Sequence, residues 1–132
     1  MLLCRRTGAL TKNYPFSSMY IHYIYTMIVI KLPAVLLFEW DKGNEQKNWF
    51  KHKVTTEEAE EPFFNNDYLI LEDKQHSLEQ EQRFILIGKS KQERMLFIVY
   101  TYRKKKIRII SARDAHKKEV SLYEKALELT KV

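Results

Sequence analysis

Arg83-Phe-Ile-Leu-Ile-Gly88, Met95-Leu-Phe-Ile-Val-Tyr-Thr-Tyr102 and Ile107-Arg-Ile-Ile-Ser-Ala-Arg113 are the runs whose reading decides the fold. Each is short and rich in β-branched and aromatic residues. The polar intervals Lys89–Arg94 and Arg103–Lys106 separate them. That spacing predicts an antiparallel meander over 83–113. The runs are almost continuously apolar, so the strands are covered on at least one face. Arginines bracket them at Arg83, Arg103 and Arg113, and Arg108 lies inside the third. A cation so close to a buried sheet is costly unless its head reaches water, an acid or a phosphate. Strand parity sets Arg108 opposite Ile107 and Ile109, while Arg83 and Arg103 lie at strand ends where a shared rim is possible.

Upstream, Glu72 to Glu81 is a polar loop carrying Asp73, His76, Ser77, Glu79 and Glu81, preceded by a strand at Tyr68–Leu71 and a turn at Asn65–Asp67. Thr55 with Glu58 three residues on predicts a capping box, and Pro62 ends the short helix that follows. Phe63 and Phe64 are expected to anchor that helix on the sheet. Asp41 caps a helix over 42–51, with Trp49 and Phe50 as its apolar contacts and Asn48 left to solvent. Downstream, Asp114 is expected to cap a helix over about 115–130, with Val120, Tyr123, Leu127 and Thr130 on one face. The reading is α+β: an antiparallel sheet, two short N-terminal helices and one C-terminal helix.

The chain has 132 residues, 45% apolar and 30% charged, which suits a single domain of ordinary globular composition. Its formal net charge of +6 favours polyanions, although Glu57, Glu58, Glu60 and Glu61 form an acidic block. Cys4 is the single cysteine, so the chain holds no internal disulfide, and a reducing cytoplasm is the expected compartment. Residues 1–26 read as a flexible or non-native leader before a domain over 27–132. Met19–Ile30 and Leu32–Phe38 are apolar enough to raise a membrane anchor, but His22, Lys31 and Pro33 interrupt them. The competing reading starts the protein at Met27, with 27–38 as a first strand.

The ordered set Phe38-Glu-Trp-Asp41, Lys51-His52, Glu57-Glu58-Ala59, Asp73-x-x-His76-Ser77, Glu81-x-Arg83, Ile87-Gly88, Leu96-Phe97, Thr101-x-Arg103 and Ile107–Arg113 resembles the BrnT toxins of type II toxin–antitoxin systems, in the RelE-like ribonuclease group. The resemblance covers about 38–125. Lys53 departs from it, standing where the family usually has glycine, and so does the all-lysine turn at 104–106. It implies a RelE-like sheet, RNA cleavage that blocks translation, and a BrnA-like antitoxin with a ribbon-helix-helix part, through which alone DNA would be bound. Membrane association is not implied.

Cleavage of this kind needs no metal or other cofactor if the RNA 2′-hydroxyl attacks the adjacent phosphate. The protein must then supply a proton acceptor, cations for the phosphorane and a proton for the departing 5′-oxygen. Arg83, Arg103, Arg108 and Arg113 are candidates for the cationic role, since a guanidinium fork matches two phosphate oxygens. The plainer alternative pairs some of them with Glu79, Glu81 or Glu119. His76 and Glu81 are candidates for proton transfer, with Tyr100 and Tyr102 behind them; structural hydrogen bonding is the alternative for the histidines. Lys51, His52, Lys104, Lys105 and Lys106 are the RNA-binding candidates, or otherwise solvated surface. No Cys/His pair has zinc spacing and there is no glycine-rich phosphate loop. A catalytically silent binding module and a membrane-tethered protein are the competing classes.

Overall fold

A computed structural model describes residues 32–130. The leader, most of the apolar 19–38 segment, and the side chain of Thr130 lie outside the described residues. The elements in chain order are β1 (Phe38–Glu39), α1 (Lys42–His52), α2 (Thr56–Glu60), a 3-10 turn (Glu61–Phe64), β2 (Tyr68–Glu72), β3 (Arg83–Lys89), β4 (Met95–Arg103), β5 (Lys106–Asp114) and α3 (Lys117–Thr130). The five strands among the described residues form one sheet in the order β1-β5-β4-β3-β2. Every pairing is antiparallel except β1 with β5, which is parallel. The expected meander is therefore present, with strand ends within a residue or two of the sequence reading. Among the described residues no helix is long and apolar enough to cross a membrane.

The sheet has two unlike faces. Leu86, Leu96, Ile98, Tyr100, Ile107, Ile109 and Ala112 point to one, where Val54, Ala59 and Phe63 close the core. Gly88 lets the 3-10 turn settle on this face: a Cβ there would meet the Pro62 Cβ at 3.3 Å. On the other face α3 lays Leu122, Tyr123 and Ala126 over Leu69, Leu71 and Ile87. The buried stripe of α3 thus runs through Leu122, Tyr123 and Ala126: Tyr123 is on the expected face, whereas Val120 and Leu127 are only partly buried. The helix leaves much of the β4 and β5 side uncovered.

Several local expectations need correction. In α1 the buried residue is Asn48, whereas Trp49 and Phe50 are exposed. The cause is the brevity of β1, which pairs only with Ile107 and Arg108. Beyond them the outer edge of β5 meets no further strand among the described residues. Asn44 and Asn48, one helical turn apart, stand in for it: Asn44 Nδ2 donates to the Ile109 carbonyl at 3.2 Å, and Asn48 Oδ1 accepts from Ala112 N–H at 3.1 Å. Phe63 is buried but Phe64 is exposed, because the 3-10 turn directs only one of the pair inward. Thr55 caps α2 as expected, while the Glu58 carboxylate is taken by Ser90 and Arg94. Asp114 does not cap α3; it ends β5 and binds Arg94. The N-terminus of α3 is held instead by Glu119, which accepts from His116 N–H at 2.7 Å.

Candidate active site

The half-covered face carries a cleft of about 460 Å3. Its floor is Ile85 and Ile87 of β3, Phe97 and Val99 of β4, and Ile110 and Ser111 of β5; Arg83 and Arg113 stand at opposite ends of that floor. Asp73 and His76 form one wall, and Glu119 with Leu122 of α3 another. A bulge aims the arginines. Val99 pairs with Ser111 but Tyr100 pairs with Ile109, so Ile110 is an extra residue in β5. Strict alternation over five positions would send Arg108 and Arg113 to opposite faces. The extra residue returns them to the same one, Arg108 opposite Thr101 and Arg113 opposite Phe97.

The loop before β3 is pinned at its root. Asp73 N–H donates to the Arg83 carbonyl at 2.9 Å, Ser77 Oγ donates to the Asp73 carbonyl at 2.6 Å, and Arg83 N–H donates to Ser77 Oγ at 2.9 Å. This holds the nearly buried Asp73 carboxylate against His76, with both oxygens 3.0 Å from Nδ1. A carboxylate at Nδ1 keeps the proton there and leaves Nε2 as the acceptor. The ring itself is well exposed along the cleft wall.

Each guanidinium has an acid. Glu81 lies between two of them, 3.5 Å from Arg83 Nε and 3.3 Å from Arg103 NH2. The buried Arg83 Nε itself makes no hydrogen bond. Arg113 is gripped by both Glu119 oxygens at 2.8 Å, donates to the Asp114 carbonyl, and lies 4.0 Å over the Phe97 ring. Burial alone would raise the Glu119 carboxyl, but the Arg113 bonds and the His116 N–H outweigh it and hold it below the ordinary range.

Arg83, Arg113 and His76 are therefore brought to one cleft, with Arg103 and Glu81 at its Arg83 end. Arg108 is not among them. It turns to the β1 edge, where Asp41 and Glu39 take it. There the Asn44 N–H and then Arg108 lower the Asp41 carboxyl. Lys51 and His52 end α1 on the opposite layer, and the His52 carbonyl accepts from Arg94. Lys104, Lys105 and Lys106 are exposed at the β4–β5 turn, beyond Arg103. Tyr100 and Tyr102 belong to the helix-covered face, away from the cleft. Tyr100 is fully buried, and burial pushes its pKa far upward.

Three cleft residues escape a reading by charge alone: Asp73 as the orienter of His76, Phe97 as the shelf under Arg113, and Ser111 on the floor. The Asp73-x-x-His76 spacing contained the signal for the first. Nothing in the sequence marks the other two. The geometry provides an acceptor nitrogen and two guanidiniums around an apolar floor, which suits an anion attached to a flat, weakly polar group.

A family model described as ribonuclease toxin, BrnT, of type II toxin-antitoxin system matches residues 40–119. No curated protein matches the chain.

Proposed function

The chain belongs to the BrnT family of ribonuclease toxins of type II toxin–antitoxin systems, and from that membership we propose that it is an endoribonuclease acting in the cleft of the half-covered face. Supporting this above all is the convergence of Arg83, Arg113 and the Asp73-held His76, from three separate segments, on that cleft. The reaction is attack of the RNA 2′-hydroxyl oxygen on the adjacent phosphorus, with breakage of the bond from phosphorus to the 5′-oxygen. His76 Nε2 takes the hydroxyl proton. Arg83, steadied by Glu81, faces the charge that gathers on the phosphorane. The departing 5′-oxygen draws its proton from the solvent that reaches the exposed side of the His76 ring. No metal takes part. The product strand ends in a 2′,3′-cyclic phosphate, and cutting messages blocks translation.

On this reading Arg103 and Lys104–Lys106 extend the positive rim along an RNA strand. Arg108 fixes α1 to β5 and takes no part. The fold is of the RelE-like kind, the protein works in the cytoplasm, and a BrnA-like ribbon-helix-helix antitoxin neutralises it and carries any DNA binding. Induced expression is expected to arrest growth, and Arg83→Ala to relieve the arrest with an unchanged circular dichroism spectrum. Undiminished toxicity of the folded variant contradicts the site.

A second reading, a silent module that binds antitoxin without cutting, draws support from Glu119, which occupies both arms of Arg113. Purified chain that associates with its antitoxin and leaves RNA intact across a range of salt favours it.

A further inference from the structure

The layer opposite the cleft carries large apolar side chains that stay exposed among the described residues. Trp49 and Phe50 on α1 are 46% and 70% exposed, and Phe64 on the 3-10 turn is 65% exposed. They border two shallow hollows of about 470 Å3 and 300 Å3 that meet at Glu57. Glu45 stands in the first and Glu61 in the second. Exposed aromatics grouped this way mark binding surfaces more often than chance placement does.

Charge narrows the occupant. The chain as a whole is net +6, yet the two hollows are lined by Glu45, Glu57, Glu60 and Glu61 against a single lysine, Lys91. Nucleic acid and anionic lipid are repelled by it, whereas a cationic polypeptide is attracted. The surface already shows how it takes a cation: Lys53 Nζ lies 5.1 Å over the Trp49 ring. We propose that this aromatic and acidic surface docks a basic segment of a partner protein, one that sets apolar side chains against Trp49, Phe50 and Phe64 and cationic ones against Glu45, Glu57 and Glu61. The segment lies on the far side of the sheet from the cleft, so it binds without displacing RNA. The inference does not rest on the ribonuclease reading; a chain that cut nothing would present the same surface.

The test is selection of a random 16-residue displayed peptide library on the full chain, with the Phe50→Ser/Glu57→Lys double variant as counter-selector. Both side chains point to solvent, so the variant keeps its fold, which its circular dichroism spectrum verifies. Enriched peptides are expected to be net cationic with apolar residues at regular spacing. Synthetic copies should bind at least tenfold more weakly to Phe50→Ser and to Glu57→Lys, weaken further as salt rises, and persist when RNA is added. Enrichment of neutral or acidic peptides, equal binding to the variants, competition by RNA, or no enrichment beyond the counter-selector overturns the proposal.

Discussion

Asp73 is a carboxylate with little exposure whose two oxygens address one imidazole nitrogen. Replacing it by asparagine keeps the shape but allows the amide to face Nδ1 with its N–H2, which favours the tautomer with the proton on Nε2. RNA cleavage by Asp73→Asn is accordingly expected to fall by about 100-fold, the lower end of what general-base catalysis contributes. The pH profile should change as well as the maximum. A loss in maximum rate with an unmoved profile contradicts the positioning role. Glu119 and Asp114 supply a prediction on stability. Both carboxyls are held below their ordinary values, Asp114 chiefly by its bond to Arg94 and Glu119 by Arg113 and the His116 N–H against the effect of burial. A depressed folded-state pKa adds stability that is complete above the unfolded value, near 4, and is lost as pH falls through the folded value. The melting temperature should drop below about pH 4, and Glu119→Gln should flatten that limb. A Glu119→Gln variant with the parent's acid limb refutes the assignment. At this scale the sequence revealed residues whose chemistry is scarce, such as Arg83, Arg113 and His76. Asn48 was hidden because its burial answers a need of β5, an acceptor for the Ala112 N–H, that α1 does not advertise.

The β4–β5 turn is an element whose backbone and side chains disagree. Lys104 and Lys105 both have positive φ, 52° and 67°, the left-handed region that two-residue hairpin turns require and that asparagine and glycine adopt with least strain. Substituting Asn-Gly for Lys104-Lys105 is expected to stabilise the fold by about 1–2 kcal/mol, read from chemical denaturation. Unchanged or lower stability contradicts the strain argument. Lys53, at φ 56°, ends α1 in the same region, where the resemblance to BrnT leads one to expect glycine. Arg94 compensates at that junction: its guanidinium donates to the His52 and Lys53 carbonyls, to Glu58 and to both Asp114 oxygens. The strands were legible because each announces itself within one apolar run. Arg94 was not, because its role joins four segments that are distant in sequence. The bulge at Ile110 was equally silent, and without it parity alone separates Arg108 from Arg113.

Across the whole molecule, the two faces of one sheet divide the labour. The face under α1, α2 and the 3-10 turn is sealed into the main core, and two hollows on its outer side combine exposed aromatics with Glu45, Glu57 and Glu61. The face under α3 is only partly sealed, and the cleft with its cations lies in the remainder. Antiparallel strands and a late helix could be read from periodicity. The extent of cover by α3 could not, because Leu122, Tyr123 and Ala126 choose which strands they meet only once the sheet is formed. The expectation that all four arginines share one cleft holds for Arg83 and Arg113, reaches Arg103 at the rim through Glu81, and fails for Arg108. The most direct measurement of the cleavage claim is to incubate purified protein with end-labelled RNA in excess chelator and analyse the new ends. The account predicts 2′,3′-cyclic phosphate ends whose yield falls at least 100-fold in a folded Arg83→Ala variant. Undiminished cleavage by that variant, or products lacking the cyclic phosphate, contradicts it.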